Sequence, residues 1–236
     1  MVIYDRTPPS ECVVVDEWDG GFSWVVHPEE VGHRTSHALC GDDGEVWLVD
    51  PLDAPGLDER LAALGTVAGV VVCSDYHARD APGLARRHDV AVYVPAWLSR
   101  ARERLDGPIT TVTGTVSTSG FTVRRCAPFP GWNEALLVRE RDGTLYVPDV
   151  LGTTRLFTVG PERVGSYLLC RVRFPTGAFA RLTPERLLVG HGTGIFEDAT
   201  EALDTALSGT RRRLPAALAT GGVTQLRALT EALRTG

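Results

Sequence analysis

Three short stretches carry side chains able to hold a metal ion or move a proton. They are the polar string Ser74-Asp75-Tyr76-His77-Ala78-Arg79-Asp80, the acid of Pro148-Asp149, and the imidazole of Gly190-His191-Gly192. Imidazole and carboxylate are ligands that Zn²⁺ accepts, and oxygen-rich sets also suit Fe²⁺ or Mn²⁺. Taken singly, each group has an ordinary structural role. An Asp after a strand caps the next helix or fixes a turn, and a His there is most often held by hydrogen bonds. What gives the three stretches weight is that each follows a predicted strand.

Those strands are legible from hydrophobic pattern. Cys12 to Val15, Phe22 to Val26 and His37 to Cys40 alternate with turn signals, as antiparallel strands do. Glu45 to Asp50 is a strand ending in an acid, and Leu57 to Leu64 has helical spacing. Val67 to Cys73 is an almost continuous apolar run, the mark of a strand covered on both faces, so a βαβ unit is expected here. The Asp75 to Asp80 string therefore lies at a strand's carboxyl end, the edge on which α/β folds build their sites. A helix from Ala81 to Arg87, a strand from Ala91 to Val94 and an exposed helix from Ser99 to Leu105 come next. Short strands return at Ile109 to Val112, Phe121 to Cys126, Ala135 to Arg139 and Thr144 to Val147, with Asp142-Gly143 signalling a hairpin. Leu187 to Val189 runs into Gly190-His191-Gly192, and the tail from Asp198 to Leu233 reads as helical with a break near Gly221-Gly222.

Composition narrows the function. The 236 residues suit one domain spanning 1–236, and 43% hydrophobic with 23% charged residues is ordinary for a globular chain. A formal charge of −6 argues against nucleic-acid binding, which needs a basic surface. No apolar run approaches the roughly 20 residues of a membrane span, and no signal-peptide pattern opens the chain. Five scattered cysteines without a CxxC pair read as small buried hydrophobes in a reducing cytoplasm. The 24 basic residues are all Arg, a coding bias with no mechanistic content.

From about His37 to about Leu207, the order of strand, Asp/His loop, helix, strand ending in Asp, and strand ending in Gly-His-Gly resembles the metallo-β-lactamase superfamily. The resemblance implies an α/β, four-layer αββα sandwich. It also implies a metal-dependent hydrolase whose first loop reads His-X-His-X-Asp-His. Here only the second His survives, as His77; Asp75, Arg79 and Asp80 replace the first His, the Asp and the last His. The family's His after Pro-Gly is replaced by Trp132.

Carried over residue by residue, one metal position retains Asp75, His77 and Asp149, and the other Asp80, Asp149 and His191. The resulting expectation is one divalent metal, Zn²⁺, Fe²⁺ or Mn²⁺, held by His77, Asp80, Asp149 and His191, with Asp75, His77 and Arg79 acting on a small-molecule ester, thioester or amide. The rival expectation is no metal at all. Arg79 then pairs with Asp80 or Asp149, leaving an inactive scaffold or a small-molecule binder; alternatively Arg79 points away. His37 reads as a strand residue, His27, His33 and His88 as surface groups, Glu134 as an exposed acid or, alternatively, a carboxylate supplied to the cleft, and Trp132 as a wall of the cleft. Nothing in the sequence specifies an oligomeric state.

Overall fold

The structure, a computed structural model, describes residues 2–220. A seven-stranded sheet takes its strands in chain order: β1 (Val13–Trp18), β2 (Gly21–Val25), β3 (Ser36–Cys40), β4 (Val46–Val49), β5 (Val67–Val71), β6 (Val92–Pro95) and β7 (Ile109–Val112). Its first four strands are antiparallel, and from β4 onward the pairing is parallel. The parallel crossovers are made by α1 (Leu57–Leu64), α2 (Ala81–His88) and α3 (Ser99–Arg104). A second sheet combines β8 (Thr122–Phe129), β9 (Trp132–Arg139), β10 (Thr144–Val147) and, last in the chain, β13 (Arg186–Val189), in the order β13-β10-β9-β8. Between β10 and β13 lie the two-stranded ribbon of β11 (Leu151–Gly152) and β12 (Gly165–Ser166), then α4 (Leu168–Val172); α5 (Ala199–Gly209) follows β13.

Side chains partition with the period of two that a pleated strand imposes. On β4, Val46 and Leu48 join the core beneath α1, α2 and α3, whereas Trp47 and Val49 face the opposite sheet. On β10, Leu145 and Val147 pack toward α4 and α5, whereas Tyr146 joins Trp47 and Val49 between the sheets. Three apolar layers result, separating helices, sheet, sheet and helices: the four-layer αββα sandwich that the sequence led us to expect. Each large side chain buried in them, such as Trp47, stabilises the fold by about 2–3 kcal/mol.

Most element boundaries match expectation within two or three residues, and three regions differ. The strand expected to end at Cys126 continues to Phe129, because β8 and β9 form one hairpin turning at Pro130-Gly131. The helix at Ser99 is not wholly exposed, since Ala101 is buried. The ribbon and α4 lack clear periodicity in sequence; they are held by Phe157, Tyr167 and Cys170 in the second core. The expected break at Gly221-Gly222 lies outside the described residues. No described helix is long and apolar enough to cross a membrane.

Candidate functional site

The carboxyl ends of β5, β10 and β13 converge. Main-chain contacts tie the two sheets at this point, with isolated bridges pairing Arg34 with His191 and Ser74 with Glu134. Thr35 N–H donates to the Gly190 carbonyl and Ala135 N–H to that of Cys73. Gly190 is required by closeness: a Cβ there would meet the Pro148 carbonyl oxygen at 2.3 Å and the His77 ring at 3.1 Å.

At this convergence His77, Asp149 and His191 present one ligand atom each, all within 4.8 Å of one another. His77 Nε2 lies 3.1 Å and His191 Nε2 2.9 Å from the same oxygen, Asp149 Oδ1. The outward ring nitrogens are anchored separately: His77 Nδ1 is 2.8 Å from Asp50 Oδ2, and His191 Nδ1 is 2.7 Å from the Gly32 carbonyl. Both anchors are acceptors, so both Nδ1 atoms carry protons. If Asp149 also accepts from both Nε2 atoms, two imidazolium rings must sit buried beside the Arg79 guanidinium. One divalent cation replacing those two Nε2 protons keeps the same charge, turns both lone pairs inward, and preserves both Nδ1 bonds. The donor set therefore fits a metal, with the outer carboxylate and carbonyl fixing each ring as metal-binding histidines require.

Asp50 is the hub behind His77. It is fully buried, takes the Cys73 N–H at 2.7 Å on Oδ1, and takes the Tyr146 hydroxyl at 2.6 Å on Oδ2 beside His77. Asp149 Oδ2 accepts from Ser74 Oγ at 2.8 Å. Burial alone would raise the Asp149 carboxyl, but His77 and His191 hold it well below the usual carboxylate range. Glu134, expected to be exposed, is fully buried: it receives the Trp132 indole N–H and, at 3.1 Å each, the Asp149 and Val150 N–H groups. Burial, then the charge of Asp149, pushes it up to about 8. Its position was readable in outline, because it shares strand parity with the inward-facing Leu136.

Two expected site residues are occupied elsewhere. Asp75 caps the first turn of α3, with Oδ1 accepting from the Arg100 and Ala101 N–H groups and Oδ2 from Asn133. Asp80 precedes α2, is exposed, and accepts from the Asp53 N–H at 2.8 Å. It does not join the histidine cluster, which brings together three of the four expected ligands, His77, Asp149 and His191. Both still border the cavity described below. Arg79 makes neither of the expected pairs. From a left-handed backbone (φ 42°) it donates through Nη1 to the Thr35 and Asp50 carbonyls, and Nη2 comes within 3.3 Å of His77 Nε2.

His37 is structural: fully buried, it accepts from Ser23 Oγ at 2.8 Å and donates through Nε2 to the Val189 carbonyl at 3.0 Å, joining β3 to β13. Burial pushes its pKa from 6.5 down to about 4. Below pH 6.5 the unfolded chain gains a proton that the folded ring refuses, so stability present above 6.5 is lost as pH falls toward 4. At about 1.4 kcal/mol per unit the loss approaches roughly 3 kcal/mol. Urea titrations at several pH values should show a shallower acid slope in His37→Gln; parallel slopes would contradict this role. His27, His33 and His88 are half-buried rather than surface groups, and His27 lines the cavity.

The cluster opens into a cavity of about 620 Å³. Arg79 and Asp149 lie on its floor, Trp132, Phe157 and Tyr167 on one wall, and residues 4–9 on another. The aromatic wall is continuous: Trp132 meets Tyr167 edge-on at 5.5 Å, Tyr167 meets Phe157 at 5.5 Å, and Phe157 stacks on His191 at 5.4 Å.

No family model matches the chain, and no curated protein matches it in sequence. Solved structures do match in shape. DIM-1 metallo-β-lactamase superposes with a TM-score of 0.61 at 13% identity, covering 89% of this chain and 97% of the other. A metallo-β-lactamase from Pontibacter korlensis gives 0.59 at 14% identity, covering 87% and 99%. Rubredoxin oxygen:oxidoreductase from the anaerobe Desulfovibrio gigas gives 0.60 at 13% identity, covering 86% and 61%. The chain has the metallo-β-lactamase fold.

Proposed function

We propose that this protein is a hydrolase that holds one divalent ion, Zn²⁺, Fe²⁺ or Mn²⁺, on His77 Nε2, Asp149 and His191 Nε2, and cleaves an ester, thioester or amide bond of a small molecule. The observation that carries this reading is the double anchoring of the two histidines, which aims both free ring positions at one carboxylate oxygen. When bound, such an ion supplies a Lewis acid and lowers the pKa of water toward neutrality. The chain's own residues do the rest. Asp50 and Gly32 fix the rings, Ser74 holds the second oxygen of Asp149, and the aromatic wall receives the apolar part of the substrate while excluding water. Arg79, tethered to two carbonyls rather than to a carboxylate, suits an anionic substrate group. The proposal includes a cytoplasmic setting, in keeping with five free cysteines.

A second reading, a metal-free binder, is favoured by one observation: Arg79 Nη2 stands 3.3 Å from the nitrogen an ion would need. The two readings separate experimentally. Protein purified without chelator is assayed for metal content, for melting with and without chelator, and for turnover of p-nitrophenyl esters with added Zn²⁺, Mn²⁺ and Fe²⁺. Bound metal with a chelator-sensitive melt supports the hydrolase, since a ligand of the native state raises the melting temperature. Absence of metal and of turnover under every condition rejects it.

Arg79→Ala offers a sharper comparison. Removing a fixed positive charge beside the ligand cluster should tighten divalent-ion binding about 10-fold or more, read by competition with a chromogenic chelator. Unchanged or weaker affinity would show that the guanidinium does not oppose the ion.

A further inference from the structure

Tyr4 reaches the cavity from outside the sandwich, and its hydroxyl makes no hydrogen bond among the described residues, although nearly every other polar group around the cluster is engaged. The segment carrying it is clamped. The Val2 and Ile3 carbonyls accept from the Val31 and Gly32 N–H groups, Asp5 N–H donates to Glu30, and Arg34 donates to the Asp5 carbonyl. Gly32 permits the clamp, because a Cβ there would lie 2.5 Å from the Tyr4 ring. The same Gly32 supplies the carbonyl that holds His191, so one residue sets both the histidine and the tyrosine. The Tyr4 and His191 rings lie 6.3 Å apart, and Arg34 covers the Tyr4 ring at 5.6 Å.

We propose that Tyr4 is a ligand-contacting residue whose phenol donates a hydrogen bond to a negatively charged oxygen, carboxylate or tetrahedral, of the molecule bound in this cavity. The inference rests on reading the cavity as the substrate site. Two features point to an anionic acceptor: the free donor lines the same cavity as the Arg79 guanidinium, and the Arg34 guanidinium lies over the Tyr4 ring.

The test uses the full chain as purified, with metal content measured in parallel, and two probes: phenylphosphonate for a tetrahedral anion and benzoate for a planar one. Calorimetry should show at least one of them bound by the wild type, and Tyr4→Phe should weaken that binding about 10-fold, as expected for loss of a hydrogen bond to a charged group. Because Phe keeps the ring beneath Arg34, melting temperature and metal content should stay unchanged. Gly32→Ala, which displaces the ring, should weaken the same probe. Tyr4→Phe binding within twofold of wild type, or no binding of either probe by the wild type, overturns the proposal. A protein that holds no metal and shows no turnover under any of the conditions above, yet still shows the Tyr4 effect, would reject the hydrolase reading while leaving this inference standing.

Discussion

Asp149→Ala should abolish metal retention. Asp149 is the one group toward which both Nε2 atoms converge, and without it two imidazoles and Arg79 face one another with no intervening negative charge. Partners that only orient a ligand are worth 10- to 100-fold in metal affinity, and loss of a ligand itself should exceed that. The expected result is protein with negligible metal after dialysis, a melting curve indifferent to chelator, and no metal-stimulated turnover. Asp149→Glu, which keeps the charge but lengthens the arm, should recover part of the affinity. If Asp149→Ala keeps wild-type metal content and chelator sensitivity, the ion is not held by this triad.

The second large effect is on stability. Asp50→Ala strands the Cys73 N–H, the Tyr146 hydroxyl and the His77 Nδ1–H in the interior. Each buried orphan costs about 1–3 kcal/mol, and breaking one side of a buried charged pair about 3–5 kcal/mol, so a total near 4 kcal/mol is expected. That is a large fraction of a typical stability and corresponds to a melting temperature lower by roughly 10 °C or more. Asp50→Asn tests orientation apart from folding. An amide facing His77 favours the ring tautomer with its proton on Nε2, so metal affinity should fall about 10- to 100-fold while the melting temperature moves far less. Equal melting of Asp50→Ala and wild type would remove Asp50 from its place as the hub.

Much of this is legible in the amino-acid sequence alone. Alternation on the outer strands and the apolar run from Val67 into Cys73 dictated the strands, and the strand ends dictated that His77, Asp149 and His191 would share an edge. Side-chain direction within a tight loop was not readable. Arg79 takes a left-handed turn, directing its guanidinium to the carbonyls of Thr35 and Asp50, while the next residue, Asp80, is exposed and engages Asp53. Asp75 was captured by the start of α3, some 25 residues on, a partner no local pattern announces. Glu134 was misjudged because charge usually means exposure, although its strand parity already pointed inward.

The main-chain stitching between the sheets carries an evolutionary consequence. Because the Arg34–His191 and Ser74–Glu134 bridges run through the backbone, side-chain substitutions nearby leave the cavity floor in register. The wall made by residues 4–9 is instead joined to the loop around Glu30 through side chains, Asp5 N–H donating to the Glu30 carboxylate and Arg34 to the Asp5 carbonyl. Diversification toward new ligand shapes in this lineage should therefore accumulate in that N-terminal wall, while the floor stays fixed.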